Sequence, residues 1–242
     1  MAKQRLDLVI IQQRPDLSRA FIQSIIMQGK VKVEGQIITK AGTLIAPDAQ
    51  IDMDVTQPKY VSRAGFKLEA ALDAFNVDVN NLIALDAGIS TGGFSDCMLQ
   101  RGIAKIYGID VGYGQVHEKV RNDARVIIME RTNLRHLTSL PEIVDLVTLD
   151  LSFISVLKVI DAVKNVMKPG AKLIVLVKPQ FEAERFQIGK GGIVNDPTVH
   201  EAVVQKVTSG ISREGFEYKG IIESPILGGD GNKEFLALFI KK

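Results

Sequence analysis

The sequence is poor in the residues that build covalent or metal-held frameworks. Its 242 residues include one cysteine, no tryptophan and three histidines. The single cysteine, Cys97, excludes an intrachain disulfide and any site built from a cysteine cluster. The histidines lie far apart, without the spacing of a paired-histidine metal motif, at His117, His136 and His200. We therefore expect no metal site, and the scarcity of cysteine is typical of a reducing, cytoplasmic compartment.

Long apolar runs are equally scarce. The longest, LIVLV at residues 173–177, is far shorter than the roughly 20 residues that cross a bilayer. The opening MAKQRLDLVIIQQR holds only a short aliphatic run before glutamines and an arginine, which is not the pattern of a targeting signal. We expect no stable association with a membrane.

The net charge of +2 conceals a gradient along the chain. Residues 1–40 carry seven basic side chains against three acidic ones, a net +4, whereas residues 61–242 balance to zero. Hydrophobic residues make up 46% of the chain and charged residues 24%, proportions that exclude general disorder. The N-terminal segment is therefore where we expect an anionic partner to bind.

Residues 1–55 have the pattern of a small α+β module. Helical spacing of apolar residues begins at RLDLVII, and Ser18 is placed to cap a second helix, SRAFIQSIIMQG, which Gly29 closes. The inward face of this helix is predicted to hold Ala20 or Phe21, Ile25 and Met27. Short β-favouring runs follow, separated by turns at Glu34-Gly35, Ala41-Gly42 and Pro47-Asp48. The polar residues 56–60 are predicted to be a linker.

The pattern changes over residues 61–242 to β-rich runs that alternate with helices. A helix capped by Ser62 comes first, followed by the runs LIALDAG, AKIYGIDVG, ARVIIME, DLVTLDLSF and AKLIVLVKP. Continuous apolar strands of this kind are expected in a parallel sheet that is covered on both faces. The runs EYKGIIESP and EFLALFIKK then indicate a final antiparallel hairpin. The sequence predicts an α/β fold with a Rossmann-like sheet of the methyltransferase type.

A glycine-rich loop follows the first of these strands, in the sequence Asp86-Ala87-Gly88-Ile89-Ser90-Thr91-Gly92-Gly93. Its G-x-x-x-G-G spacing differs from the G-x-G-x-x-G of dinucleotide sites, and no Gly-Lys-Ser/Thr of a P-loop follows. The loop resembles instead the first motif of S-adenosylmethionine (SAM) methyltransferases. That resemblance implies cofactor contacts from Gly88, Ser90, Thr91, Gly92 and Gly93. It also implies that Asp86 orders the loop and faces the cofactor's ammonium or its waters.

Three later strand ends extend the predicted cofactor site. Asp110 ends the next strand, where a carboxylate can accept hydrogen bonds from both ribose hydroxyls of an adenosine, although dinucleotide enzymes use an acid there too. Asn133 follows the third strand, where SAM methyltransferases usually read the adenine. Asp150, after the fourth strand, completes the set. The alternative is that the glycines serve only to pack a helix against a strand.

The fourth strand, VTLDLSFIS, reduces the number of possible methyl acceptors. It lacks the Asn/Asp-Pro-Pro-aromatic turn of enzymes that methylate amino groups in nucleic acid. Methylation of pyrimidine carbon-5 needs a cysteine nucleophile, but Cys97 falls on a predicted helix and has the character of a core residue. Metal-dependent methylation of the catechol type would need an acidic or histidine cluster that the sequence does not show.

Two lysines and two acids stand instead at strand or helix ends: Lys67, Asp150, Lys178 and Glu234. Asp150 and Lys178 end neighbouring central strands, so both should project towards the cofactor crevice. Lys178 directly follows the apolar run LIVLV, an unusual place for a surface cation. The alternative is a set of surface salt bridges, which contribute little individually.

Two resemblances cover nearly the whole chain. The run RLDLVI…SRAFIQSIIMQGKVKVEGQIITKAGT resembles an S4 domain, an RNA-binding module, whose usual basic contacts would fall on Arg5, Arg19, Lys30 and Lys32. The lysine–acid quartet resembles the Lys-Asp-Lys-Glu set of FtsJ-like ribose 2′-O-methyltransferases. Together they make the chain similar to the haemolysin A/TlyA family of rRNA cytidine 2′-O-methyltransferases, through SRAGFKL, LDAGISTGGFSDCMLQRG, IDVGYGQ, MERTN, LDLSFIS, VKPQFE, GKGGIV and GNKEF. SRAGF and VHEKVRND depart from the family pattern, which leaves local RNA contacts open.

The resemblance implies that a ribose 2′-hydroxyl attacks the sulfonium methyl of SAM. Lys178 is the candidate base or hydroxyl-orienting group, because burial and a nearby cation lower the pKa of a lysine. Lys67 would supply that cation and stabilise the developing alkoxide, while Asp150 and Glu234 would position the lysines. The partner would be folded ribosomal RNA bound by its shape. The large subunit is favoured by the short lead before Arg5 and the Lys241-Lys242 tail.

Two other functions stay open at this point. A membrane-active haemolysin is suggested by the family's name alone. A non-catalytic rRNA-binding assembly factor would keep SAM as a structural ligand. The loop Gly189 to Gly192 also has two interpretations, as a border of the substrate crevice or as a flexible connector.

Overall fold

The computed structural model describes residues 3–55 and 58–242, so Thr56 and Gln57 of the predicted linker lie outside the described part. The chain divides into two compact units, Met1–Pro58 and Lys59–Lys242. No helix in the described part is both long and apolar enough to span a membrane.

The first unit joins two helices to short antiparallel strands. Its elements are β1 (Gln4–Arg5), α1 (Leu6–Gln13), α2 (Arg19–Met27), β2 (Val31–Val33), β3 (Gln36–Ile37), β4 (Leu44–Ile45) and β5 (Ile51–Met53). Strand β2 pairs with β3 and β5, and β1 pairs with β4. The helices and β2 enclose a core that includes Leu6, Ile10, Ile22, Ile26 and Val31.

Helix α2 begins as predicted but buries a different face. The Ser18 hydroxyl accepts a hydrogen bond from the Phe21 N–H at 3.2 Å and caps the helix. The buried residues are Ile22, Ile25 and Ile26, whereas Met27 is 66% exposed. The prediction for Met27 was wrong because the three isoleucines set the apolar stripe, and Met27 lies about 100° further round the helix from Ile26.

The second unit is built on a seven-stranded sheet in the order β11-β12-β10-β9-β6-β7-β8. Its strands are β6 (Ile83–Ala87), β7 (Lys105–Ile109), β8 (Val126–Met129), β9 (Val144–Leu149), β10 (Met167–Val177), β11 (Phe216–Glu223) and β12 (Phe235–Lys241). Its helices are α3 (Ala64–Ala74), α4 (Gly93–Gln100), α5 (Glu118–Arg121), α6 (Ile160–Val166), α7 (Pro179–Glu182) and α8 (Pro197–Arg213). Short 3-10 helices span Leu134–His136, Val156–Lys158, Arg185–Gln187 and Lys190–Gly192.

The pairing of these strands confirms the predicted fold class. Strands β6 to β10 pair in parallel, and β12 pairs antiparallel with both β10 and β11. Helices α6 and α8 pack on one face of the sheet, and α3 and α4 pack on the other. Burial on both faces explains why the strands are continuous apolar runs. It also fixes the strand ends, and with them the loops at the carboxyl edge of the sheet.

Helix α3 begins differently from the prediction. The residue before its first turn is Arg63, and no side chain caps the helix, so the predicted Ser62 cap was wrong. The Ser62 carbonyl instead accepts a hydrogen bond from the Gly65 N–H at 3.1 Å. The Tyr60 ring packs against the first turn so tightly that a Cβ on Gly65 would lie 2.3 Å from it. Backbone packing therefore sets the start of this helix.

Candidate active site

The carboxyl ends of the parallel strands open into a cavity of about 830 Å³. Its walls come from the segments that follow β6, β7, β8 and β9, together with α7. Ligands of open α/β sheets bind at this edge, because the loops after the strands leave a crevice there. The predicted site residues that line this cavity are Gly88, Ser90, Asp110, Asn133 and Asp150.

A smaller cavity of about 220 Å³ shares part of its lining with the first, at Gly88, Ser90 and Asp150. The start of α3 and the glycine loop form its other walls. The further predicted residues that line it are Lys67, Thr91 and Gly93. Asp150 therefore borders both cavities.

Gly88 lets the glycine loop pass against the end of β9. Its φ is +84°, and a Cβ at this position would lie 2.3 Å from the carbonyl oxygen of Asp150. A contact this short excludes every side chain, so the approach of the loop to Asp150 depends on glycine here. Gly92, which precedes α4, lies against Val120 and lines neither cavity.

Asp86 lies beneath the glycine loop. Its buried carboxylate accepts hydrogen bonds from the Ser95 hydroxyl at 2.6 Å and the Thr148 hydroxyl at 2.8 Å. It thereby ties β6 to α4 and β9, and it lines neither cavity. Burial raises the pKa of Asp86 to about 6. This position suits the ordering of the loop, and it does not suit the expected contact with a cofactor's ammonium.

Asp110 and Asn133 follow the adjacent strands β7 and β8 and are held in place by backbone groups. The Asp110 carboxylate accepts hydrogen bonds from the Ser90 N–H at 2.9 Å and the Gly112 N–H at 2.7 Å. Asn133 Oδ1 accepts a hydrogen bond from the Arg135 N–H at 3.1 Å. Asp110 therefore bridges the glycine loop and the segment after β7, and both side chains are oriented before a ligand binds.

The four predicted catalytic residues form two ion pairs. Lys178 Nζ lies 2.6 Å from Asp150 Oδ1 and donates a hydrogen bond to Ser152 Oγ at 3.1 Å. Lys67 Nζ lies 2.5 Å from Glu234 Oε2, and both of these side chains are less than a tenth exposed. Charges at this depth persist only when they are paired, so each partner fixes the position of the other.

The two pairs connect distant parts of the chain. Lys67 lies on α3 and Glu234 directly precedes β12, whereas Asp150 and Lys178 follow the neighbouring strands β9 and β10. We expected Lys67 to act on Lys178. Its ammonium group is paired with Glu234, and an action on Lys178 stays a prediction.

The cavity wall also contains side chains to which the sequence did not point. Phe153 is 91% exposed, has a φ of +63° and packs against Phe181 with ring centroids 5.1 Å apart. Gln180 lines the same cavity. The sequence signal for Phe153 was an aromatic residue in the turn after a strand-end acid, in LDLSFIS. No sequence pattern distinguishes Gln180.

The loop before α8 is anchored at several points. Asn232 is buried, accepts a hydrogen bond from the Val194 N–H at 2.9 Å and donates one to the Gly192 carbonyl at 3.0 Å. The His200 ring nitrogen lies 2.8 Å from the Val194 carbonyl. These bonds argue against a free connector at Gly189 to Gly192.

In the first unit, two of the predicted RNA-contacting cations share one buried acid. Asp7 is fully buried and accepts hydrogen bonds from Arg5 Nε and Nη2 at 2.9 and 3.0 Å. Arg19 donates to the same carboxylate at 3.2 Å, and Gln23 donates at 3.0 Å. The hydrogen bonds from Arg5, above all, hold the pKa of the Asp7 carboxyl well below its usual range despite burial.

The other two predicted cations lie at the turn into β2 and on that strand. Lys30 precedes β2 and lies 3.8 Å from Asp54, and Lys32 is exposed in the middle of the strand. The structure thus groups Arg5 with Arg19 on one carboxylate and places Lys30 and Lys32 at a second position of the same unit.

Comparison with known proteins gives these features a context. Residues 60–241 match the FtsJ-like methyltransferase family, and residues 4–51 match the S4 domain. The chain is 39% identical over 236 residues to the 16S/23S rRNA (cytidine-2′-O)-methyltransferase TlyA of Mycobacterium tuberculosis, with 96% of this chain and 87% of that protein covered. It is 32% identical over 192 residues to the 23S rRNA (cytidine-2′-O)-methyltransferase TlyA of Campylobacter jejuni, with 79% and 75% covered.

A solved structure gives the same family context. It is described as a hemolysin from Streptococcus thermophilus, is 39% identical and has a TM-score of 0.77. The match covers 100% of this chain and 90% of that chain.

The residues at the carboxyl edge of the sheet fit SAM, the methyl donor of FtsJ-like methyltransferases. Gly88 and Ser90 of the glycine loop line both cavities. Asp110 and Asn133, a carboxylate and an amide, line the larger cavity and would hold the adenosine portion. Within the described residues, no group of three or more histidine, cysteine, aspartate or glutamate side chains is placed to hold a metal ion.

The buried Asp86 carboxyl should make the stability of the second unit depend on pH. Its pKa is raised from 3.8 to about 6, so the folded unit retains a proton that the unfolded chain loses between these values. The resulting stabilisation is complete below about pH 4 and is lost as the pH rises through about 6, an effect of about 3 kcal/mol. We expect Asp86→Asn to cancel this effect.

Urea titrations at several pH values would measure it. The free energy of unfolding of the wild type minus that of Asp86→Asn should fall by about 3 kcal/mol between about pH 4 and pH 7. Asp230→Asn, at an exposed acid of the same unit, controls for the loss of one charge. A wild-type-minus-variant difference that stays constant with pH would contradict the prediction.

Proposed function

Because the chain belongs to the haemolysin A/TlyA family, in which an S4 domain precedes an FtsJ-like methyltransferase domain, we propose that it methylates ribosomal RNA. The methyl group passes from SAM to the ribose 2′-hydroxyl of a cytidine. The observation that carries this proposal is the Asp150–Lys178 pair, because Asp150 borders both cavities and Lys178 lies 2.6 Å from it.

The reaction requires a ribose hydroxyl to lose or share its proton as it attacks. SAM supplies an activated sulfonium methyl group when it is bound. Asp150 and the Ser152 hydroxyl fix the position of Lys178 Nζ, which orients the hydroxyl. Once Lys178 has released its own proton to solvent, the neutral amine would receive the hydroxyl proton at Nζ. Methyl transfer is an in-line displacement, so holding the hydroxyl in position can itself account for much of the rate.

Lys67 and Glu234 complete the catalytic set from the side of the smaller cavity. Lys67 lines this cavity and brings a positive charge to it, which would stabilise the oxygen as negative charge develops there. Glu234 pairs with Lys67 and offsets its charge. The site can then hold two lysines without repelling a cationic methyl donor.

Residues 1–55 serve in this proposal as the RNA-docking domain, and residues 61–242, joined to it by 56–60, as the catalytic domain. The match of residues 4–51 to the S4 domain supports this division. Asp7 holds two guanidinium groups in fixed places, and Arg5 and Arg19 could therefore bind phosphates with little further ordering. Lys30 and Lys32 add two further cations.

Within the ribosome we propose the large subunit as the substrate, and the cytoplasm as the place of reaction. Both TlyA relatives are named for 23S rRNA, and one of the names also includes 16S rRNA. Transfer of radiolabelled methyl groups from SAM to separated ribosomal subunits, with mapping of the labelled nucleotide, tests the proposal.

Each outcome of that assay has a distinct meaning. Label on a cytidine ribose of 23S rRNA is the expected result, and label confined to 16S rRNA would contradict the choice of subunit. Binding to subunits without any transfer would favour an assembly factor. Lysis of erythrocytes by RNA-free protein would favour the haemolysin.

We expect Lys178→Ala to lower the rate of methyl transfer by at least about 100-fold, because the hydroxyl loses its proton acceptor. SAM affinity, measured by calorimetry, should stay close to that of the wild type, since Lys178 does not line the cavity around the glycine loop. Lys219→Ala, at an exposed lysine of β11 paired with Glu217, is the matched control. A fully active Lys178→Ala protein would show that another group activates the hydroxyl.

Removal of Arg19 tests RNA docking, because Asp7 then still keeps its main partner, Arg5. We expect Arg19→Ala to weaken binding to ribosomal subunits and to reduce the slope of log K against log salt by about one, because one phosphate contact is lost. Arg14→Ala, at an exposed pair with Asp16, should leave the slope unchanged. Equal slopes for wild type and Arg19→Ala would exclude this contact.

A further inference from the structure

Gln180 carries an oxygen that the fold leaves without a donor. Within residues 3–55 and 58–242, its Oε1 is the one buried side-chain nitrogen or oxygen without a hydrogen-bond partner. A buried acceptor is costly to leave unsatisfied, and nearly all such groups in folded proteins are paired. Because Gln180 lines the larger cavity, the missing donor is expected to arrive with a ligand of that cavity.

The position of Gln180 indicates that this donor does not come from the cofactor. Helix α7, which carries Gln180, follows β10, whereas the predicted adenosine contacts Asp110 and Asn133 follow β7 and β8. In the order β10-β9-β6-β7-β8, β10 lies three strand spacings from β7 and four from β8. These spacings amount to roughly 14 and 19 Å. Asp110 and Asn133 would place an adenine at the end of the cavity away from α7, and we therefore assign the donor to the methyl acceptor beside Lys178.

Hydrogen bonds through Glu182 hold helix α7, and with it the backbone of Gln180, in a fixed place. The Glu182 carboxylate accepts hydrogen bonds from the Ser155 hydroxyl and the Val156 N–H, each at 2.7 Å. Lys206 Nζ donates to the Glu182 carbonyl, also at 2.7 Å. An acceptor on a turn fastened in this way is pre-organised for a donor that comes to it.

Cytosine offers the donor that the amide lacks. Its 4-amino group donates hydrogen bonds, whereas the corresponding position of a uracil-type base is a carbonyl acceptor. Ser152, which accepts a hydrogen bond from Lys178, lines the same cavity as Gln180, so a ribose held at Lys178 can place its base beside Gln180. Resting on the proposed ribose methylation, we propose that Gln180 selects cytidine over uridine by accepting a hydrogen bond from the 4-amino group of the target base.

While Oε1 faces the base, a uracil in the same position sets two acceptors against each other. Both oxygens are then buried without a donor, and a site built to bond a particular group rejects an analogue that lacks it much more strongly than an apolar pocket does. Gln180 is thus a specificity-determining residue, and its loss affects the choice of base more than the binding of SAM.

The test compares large ribosomal subunits reconstituted with two rRNA transcripts, one with cytidine and one with uridine at the mapped target position. The wild type should prefer cytidine by roughly 100-fold or more in kcat/KM. Gln180→Met should lower kcat/KM for cytidine about tenfold to 100-fold and bring the ratio of the two substrates close to one. Gln180→Glu keeps the acceptor and should keep the preference for cytidine.

A stability measurement separates a lost contact from a damaged fold. Gln180→Met removes a buried oxygen that has no partner, so this variant should melt at the wild-type temperature or above it and should bind SAM normally. Gln205→Met, at an exposed glutamine of α8, is the matched control and should change neither specificity nor SAM binding.

Failure of this inference can be told from failure of the proposed function. A Gln180→Met protein that keeps the wild-type ratio of cytidine to uridine would overturn the role of Gln180 and leave ribose methylation standing. A Gln180→Met protein that melts early and binds SAM weakly would also overturn it, because the residue would then be structural. A wild type that transfers no methyl group to either reconstituted subunit, or to native ribosomal subunits, would refute the proposed function itself.

Discussion

One close contact, between the α-carbon of Gly88 and the main-chain carbonyl of Asp150, sets the geometry of the second unit. The N–H of Asp150 donates to the Ala87 carbonyl at 3.0 Å, so both main-chain groups of Asp150 are placed by the end of β6. Its side chain is meanwhile paired with Lys178 on the other side. The glycine loop, Asp150 and Lys178 are therefore linked to one another, and a shift of any of them displaces the other two.

Paired charge is the second constraint on this unit. The buried Lys67 faces Glu234, the partly buried Lys178 faces Asp150, and the acid beneath the glycine loop is satisfied by two hydroxyls. Removing one member of a buried pair is strongly destabilising, because the remaining charge cannot be solvated. The first unit also contains a buried charge with charged partners, but in a different arrangement. A buried Asp7 there fixes Arg5 and Arg19, whose side chains are 46% and 54% exposed, so the acid organises positive charge at the surface.

Much of this arrangement could be predicted because parallel sheets follow simple rules. Alternating β-rich and helical runs showed which residues end strands, and the ends of parallel strands share one edge, so Asp110, Asn133 and Asp150 could be placed at one crevice. The pairing of Lys67 with Glu234 could not be predicted, since these residues are 167 positions apart. The burial of Asp86 was equally hidden, because a D-x-G pattern does not show which hydroxyls will meet the carboxylate. Gln180 was missed for the same reason: an unsatisfied oxygen exists only in three dimensions.

The position of β12 bears on the order in which the protein becomes competent during synthesis. This strand lies between β10 and β11, and Glu234 directly precedes it, although both come near the end of the described chain. While the ribosome is still making these residues, β11 has no neighbour to pair with and the Lys67 ammonium has no carboxylate. A nascent chain can thus assemble its five parallel strands, yet it cannot bring all four candidate catalytic residues together until β12 leaves the ribosome. The candidate catalytic residues therefore come together in a late step, after the first unit has already emerged.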